Sequence, residues 1–205
     1  MIDAVYFFVF SLVLFFLRPV CRPPRVLSRM LSHEECDHIM ATAEGALTPS
    51  TVAQSKELDE RTRKSETAWL DKNDDKIVRR ITHRLLKHCD RPTDNCESLQ
   101  VVRYKPGGFY KPHHDAFKEK NPRMYTFLIA LNDDYEGGAT AFPRLKKEYR
   151  LKKGDVLLFD TLDNYGFIHR SALHGGRPVI SGQKWIANLW VHVYPYGTRS
   201  NASTT

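Results

Sequence analysis

At 205 residues, with 41% hydrophobic and 27% charged side chains, the chain can bury one domain-sized core, and its composition excludes a disordered or collagen-like polymer. The formal charge of +7 is spread over short basic groups such as Arg61, Arg63, Lys64 and Lys146, Lys147, which reads as a solvated basic surface; no nucleic acid partner is expected. Cys21, Cys36, Cys89 and Cys96 lack CxxC spacing, which excludes a zinc ribbon or thioredoxin-type site; Cys89 and Cys96 bracket a turn-rich stretch and form either a small disulfide loop or two free thiols.

The first element is AVYFFVFSLVLFFL, Ala4 to Leu17, almost wholly apolar. A helix of that length reaches only ~21 Å against a hydrocarbon core of ~30 Å, and counting from Met1 to Val20 gives a marginal span. No Lys or Arg precedes Arg18 and no small-residue cleavage site follows, so residues 1–20 are expected to be a membrane signal anchor rather than a cleaved signal peptide or a buried helix. The basic residues 21–25 would then be a stiff linker, residues 26–196 the domain, and residues 197–205 a disordered polar tail. The arginines after the apolar run favour a cytosolic domain by the positive-inside tendency.

Ser32-His33-Glu34-Glu35 is a capping box that predicts a helix from His33 to Glu44, stopped by Gly45. From Ala46 to Ser65 the chain is polar and aperiodic, the pattern of a mobile loop or lid. A second helix is signalled by Asp74 and Asp75 in its first turn, with Ile77, Val78, Ile81 and Leu85 at helical spacing. After Pro92 the runs become short and β-rich: LQVVRY, YTFLIAL, ATAF, DVLLF and KWIANLWVHVY, divided by Gly, Asn and Asp turns. Residues 97–196 therefore predict a sandwich or barrel of antiparallel strands with helices packed outside, a mainly β, α+β class.

The chemistry-bearing stretch is FYKPHHDAF, Phe109 to Phe117. In an extended segment His113 and Asp115 share one face while His114 looks outward from the other. Two such side chains are two thirds of a 2-His-1-carboxylate triad for non-haem ferrous iron. The third candidate is His174, 59 positions beyond Asp115, followed ten residues later by Lys184. A lone His-x-Asp is a weak signal and a lone lysine is usually solvated; it is their joint order on predicted strands that points to a site.

YKPGGFYKPHHDAF, EGGATAFP, KKGDVLLF and HGGRPVISGQKW resemble, in order, the motifs of prolyl 4-hydroxylases among the iron(II)- and 2-oxoglutarate-dependent dioxygenases, over roughly Val26 to Tyr196. The resemblance implies a double-stranded β-helix, or jelly-roll, core. It also implies peptidyl proline hydroxylation with release of succinate and carbon dioxide, using Fe(2+), 2-oxoglutarate, O2 and L-ascorbate. His113, Asp115 and His174 would be the metal ligands, and Lys184 would pair with the distal carboxylate of 2-oxoglutarate, helped by Tyr104 and Thr140. Arg63, Tyr110, Arg123, Trp190 and His192 match positions lining a peptide groove. The family also implies the lumenal side of the endoplasmic reticulum, against the positive-inside tendency, so orientation stays open.

Two departures from the family pattern, Arg177-Pro178 and ANLW, border the groove and leave the triad intact, and the link from Asp115 to Arg123 is short. Lysyl hydroxylases and nucleic-acid demethylases use similar triads but usually anchor the distal carboxylate with Arg, where this chain has Lys184. A non-catalytic binding barrel would be expected to have lost a ligand, and none is missing.

Overall fold

The structure, a computed structural model, describes residues 19–52 and 57–197. All but the last two residues of the predicted anchor, and the tail from residue 198, lie outside the described residues. Among the described residues no helix is long and apolar enough to cross a membrane.

In chain order the strands are β1 (Arg25–Leu27), β2 (Thr48–Pro49), β3 (Arg63–Lys64), β4 (Glu66–Leu70), β5 (Leu99–Tyr104), β6 (Phe109–His113) and β7 (Arg123–Ala130). They continue with β8 (Glu136–Gly137), β9 (Thr140–Phe142), β10 (Lys147–Tyr149), β11 (Val156–Asp160), β12 (His174–Gly176), β13 (Val179–Ser181) and β14 (Lys184–His192). Two α-helices, α1 (His33–Glu44) and α2 (Lys76–Leu86), precede β5. A seven-stranded sheet in the order β1-β11-β7-β14-β5-β4-β2 faces a five-stranded sheet in the order β10-β9-β12-β6-β3, and all the pairings are antiparallel. This is the expected mainly β, jelly-roll architecture.

The helices start where their caps dictate. The Ser32 hydroxyl accepts from the Glu35 amide while the Glu35 carboxylate accepts from the Ser32 amide, and the Asp75 carboxylate accepts from the amides of Ile77 and Val78. Glu35 also receives Arg84 of α2 at 2.8 Å, tying the helices together. Both lay Ile39, Ala43, Val78, Ile81 and Leu85 on the outer face of the large sheet, against Val101, Phe127, Ile129, Leu158, Ala187 and Leu189.

The inner strands β5, β7, β11 and β14 of that sheet are buried on both faces, which is why they read as nearly continuous apolar runs. The two-residue alternation then sorts their side chains. On β14, Trp185, Ala187, Leu189 and Val191 join the helix-side core. Lys184, Ile186, Asn188, Trp190 and His192 are left to face the smaller sheet. There Val102, Leu128, Phe142, Leu157, Phe159 and Ile186 form a second core between the sheets. Polar residues on inward positions of β5, β7 and β14 therefore line the space between the sheets.

Several sequence expectations are corrected. The Ala46 to Ser65 stretch is not one unstructured loop, because it contains β2, paired with β4, and β3, paired with β6. The basic stretch before Val26 is held against the domain: Arg22 pairs with Asp160 at 2.8 Å and Arg25 donates to the His88 carbonyl. All four cysteines are free thiols, so the open choice at Cys89 and Cys96 falls to the unbridged pair.

Candidate metal centre and substrate groove

His113 ends β6 and His174 begins β12, and the two are direct partners across the antiparallel ladder. Asp115 lies just past the end of β6, so the strand geometry argued from sequence covers His113 only, and a bend carries the carboxylate round. The ligand atoms of the three side chains lie within 4.8 Å of one another, and among the described residues no other group of three or more His, Cys, Asp or Glu is so placed. His113 Nε2 is 3.5 Å from Asp115 Oδ1, and His174 Nε2 is 3.7 Å from Asp115 Oδ2.

Each ring is fixed from behind. Nδ1 of His113 meets the Lys111 carbonyl at 2.8 Å, and Nδ1 of His174 meets the Ala172 carbonyl at 3.0 Å. A carbonyl can only accept, so the proton sits on Nδ1 in both rings and the Nε2 lone pairs face Asp115. Tyr110 stacks on His113 with centroids 3.6 Å apart, while Phe142 and Phe159 flank His174. Gly175 lets the strands come this close: a Cβ there would lie 2.8 Å from the Tyr110 carbonyl oxygen. Thr126 on β7 donates to Asp115 Oδ2 at 2.7 Å, fixing the carboxylate from the large sheet.

Burial alone would raise the pKa of Asp115, which is 5% exposed, but His174 and His113 beside it hold the carboxyl well below its ordinary range. Burial pushes His174 down to about 4, which keeps its imidazole neutral. A carboxylate and two imidazoles presenting Nε2, gathered in a buried pocket, are the donor set of a facial triad and fit a first-row divalent ion such as ferrous iron.

Lys184 lines a narrow space of about 30 Å³ together with Tyr104, Thr140 and the two ligand histidines, His113 and His174. It is 4% exposed, donates to the Gly138 carbonyl at 2.6 Å and lies 5.6 Å from the Tyr104 ring centroid. Burial, with a smaller contribution from Arg150, pushes its pKa down to about 8. A buried ammonium with one neutral acceptor is a site for a carboxylate. Gly138, at φ +62°, shapes this wall, since a Cβ there would press on the Lys184 side chain at 3.1 Å.

A wider groove of about 360 Å³ opens beside the triad, lined by Arg63, Tyr110, Arg123 and Trp190 among others. Arg63 lies over the Tyr110 ring and donates to Ser65, Thr67 and the Thr51 carbonyl. Arg123 stacks on Trp190 at 3.6 Å and donates to the Asp115 carbonyl. His192 does not line the groove. It is buried behind Glu97, bonding that carboxylate at 2.8 Å and the Asn121 carbonyl at 2.6 Å.

Glu97 and Thr126 are the residues that the sequence reading missed. Burial would raise the pKa of Glu97, but hydrogen bonds from His192 and Arg123 outweigh it and hold the carboxyl below its ordinary value. Nothing in its sequence neighbourhood marks it. Thr126 could have been found as the polar residue at an inward position of the apolar run YTFLIAL. His114, expected to point outward, is half-buried, and burial lowers its pKa.

The 2OG-Fe(II) oxygenase superfamily profile matches residues 99–192. A protein of Acanthamoeba polyphaga mimivirus named as a prolyl 4-hydroxylase is 38% identical over 179 residues, covering 82% of this chain and 73% of its own. Prolyl 4-hydroxylase 5 of Arabidopsis thaliana is 32% identical over 199 residues, covering 83% and 68% respectively. The solved structure of a viral collagen prolyl hydroxylase from Paramecium Bursaria Chlorella virus-1, in a 2OG complex, superposes with a TM-score of 0.69 at 31% identity, covering 84% of this chain and 97% of that one.

Proposed function

Because the chain belongs to the prolyl 4-hydroxylases of the 2OG-Fe(II) oxygenase superfamily, we propose that it hydroxylates prolyl residues in peptides at C4, converting 2-oxoglutarate to succinate and carbon dioxide. The observation that carries this reading is the convergence of His113, Asp115 and His174 beside a cavity lined by both histidines and by the buried Lys184.

In this reading His113 and His174 offer Nε2 and Asp115 offers its carboxylate to ferrous iron. Bound there, the iron supplies the oxidising power that, with dioxygen and 2-oxoglutarate, puts one oxygen atom into an unactivated C–H bond. The chain's own residues position and exclude. Lys184 pairs with the distal carboxylate of 2-oxoglutarate and, with Tyr104 and Thr140 as walls, fixes its direction along the cavity. Phe142 and Phe159 keep the His174 side dry. Arg63, Tyr110, Arg123 and Trp190 form a groove of flat and cationic surfaces for the peptide, and His192 holds Glu97, which holds Arg123. L-ascorbate would be the reductant that keeps such a site in its ferrous form.

Residues 1–20 anchor the enzyme to a membrane, with the domain on the lumenal side of the endoplasmic reticulum. The apolar run of Ala4 to Leu17 supports the anchor, while the lumenal side rests on the family resemblance alone, against the positive-inside tendency of Arg18, Arg22 and Arg25.

The test is succinate release with proline-containing peptides, alkylated oligonucleotides and no substrate, with mass spectrometry of the products. Oxygen added to proline, lost in the His174→Ala protein, is expected. Turnover on the oligonucleotide alone, or succinate release unaffected by that substitution, would overturn the reading.

A further inference from the structure

The described chain begins beside an exposed aromatic loop. The Val20 amide donates to Asn164 Oδ1 at 2.7 Å and the Asn164 amide returns a bond to the Val20 carbonyl at 3.0 Å, so the N-terminal strand of chain is clamped to the loop after β11. That loop is braced internally. Asp163 Oδ1 accepts from the amides of Tyr165 and Phe167, the Asp163 amide donates to the Phe167 carbonyl, and Leu162 bridges to Ile168. The bracing holds Phe167 out at 70% exposure and Tyr165 at 47%, an arrangement that costs solvation unless something apolar covers it. Phe167 and Ile168 share a groove of about 620 Å³ with Phe117, Leu162, Lys118 and Lys120, with Glu119 between the two lysines.

We propose that this loop and the Lys118–Lys120 segment form a membrane-contacting face, with Phe167 and Tyr165 seated at the interface of a lipid bilayer and the lysines at the headgroups. The inference rests on the anchor reading of residues 1–20 and adds a surface to it. The occupant follows from where the chain goes. Only Arg18 and Pro19 separate the apolar run ending at Leu17 from the Val20 clamp, a reach of about 10 Å. A bilayer holding that run must therefore lie within about that distance of Asn164. Aromatic tips flanked by lysines are the composition that settles at membrane interfaces. Phe117 lines both this face and the peptide groove, so the groove would open close to the membrane surface.

The test uses the full chain reconstituted in phosphatidylcholine–phosphatidylserine vesicles, comparing wild type with Phe167→Trp and Ile180→Trp. Ile180 is 71% exposed on β13, which joins the Lys184 end of β14. The length of β14, about 26 Å, separates that end from the His192 end, where the loop lies. The F167W protein should float with the vesicles, and its added emission should shift to the blue and be lost to lipids brominated near the headgroup. The I180W emission should be unchanged. Flotation without quenching in F167W overturns the membrane face alone, whereas failure to float overturns the anchor reading and this one with it. A blue shift in the absence of vesicles that appears on adding a proline-rich peptide assigns the face to substrate. One that grows with protein concentration assigns it to a second copy. Either result overturns the proposal.

Discussion

Replacing Lys184 by Met should separate binding from stability. Lys184 is an ammonium buried with one carbonyl partner, and its pKa lies near 8 instead of 10.5. That gap corresponds to about 3 kcal/mol against the fold. The sign follows from linkage: a base whose folded pKa lies below its unfolded value destabilises the native state fully below pH about 8, and the penalty fades as pH rises from about 8 to 10.5. Met removes the penalty and fills similar volume, but leaves the Gly138 carbonyl without its donor at a cost of about 1–3 kcal/mol. The net change in stability is expected to lie between about zero and 2 kcal/mol in favour of the variant. Binding should move the other way. Losing a desolvated ion pair to the distal carboxylate costs about 2–4 kcal/mol, raising KM for 2-oxoglutarate by roughly 30- to 1000-fold. In wild type, kcat/KM for 2-oxoglutarate should fall as pH rises through about 8, where the free enzyme loses the ammonium, and the variant should show no such limb. Calorimetric unfolding and succinate release across pH measure both. A variant clearly less stable than wild type, or a KM within about tenfold of it, would refute the assignment.

Thr126→Val removes the bond to Asp115 Oδ2 and should weaken ferrous iron binding about 10- to 100-fold with little change in fold, read by metal titration of succinate release. Gly175→Ala puts a Cβ 2.8 Å from the Tyr110 carbonyl and must push β12 from β6, so a lower Tm should come with weaker metal binding. Glu97→Gln leaves Arg123 and His192 without their buried anion, costing about 3–5 kcal/mol of stability in denaturant unfolding, and should raise KM for peptide more than KM for 2-oxoglutarate.

What could be read in advance divides by whether the signal is local. The capping box at Ser32 and the acidic pair Asp74 and Asp75 are local signals, so both helices were legible to within a turn, although Asp75 proves to be the cap of α2 and not part of its first turn. The alternation in KWIANLWVHVY marked a strand, and its two-residue period is what puts Lys184 and Trp190 on one face in the structure. The pairing of β2 and β3 was not legible, because Thr48-Pro49 and Arg63-Lys64 are strands only by virtue of the β4 and β6 edges they add to. The triad and Lys184 announced themselves by motif order, whereas Glu97 did not. Its role exists only because β7 and β14 bring Arg123 and His192 to it from 26 and 95 residues away. His192 was assigned to the groove wall for the complementary reason: motif position says which residue is near a site, and only packing says which side of Arg123 it stands on.

The charges in the cavity carry one further consequence. The buried Asp115 beside the cavity contributes one negative charge, and Lys184 and Arg63, both buried in its lining, contribute two positive, while the imidazoles ligate as neutral groups. Adding a metal dication and a 2-oxoglutarate dianion together leaves that balance unchanged, whereas adding either alone shifts it by two charges where water is scarce. Burying uncompensated charge is costly, so each ligand should strengthen the other's binding, and by equal factors, since coupling between binding free energies is reciprocal. The coupling should appear in calorimetry as tighter 2-oxoglutarate binding when a divalent ion is present. It should shrink in the K184M protein, where the dianion loses the buried ammonium that would hold it beside the metal.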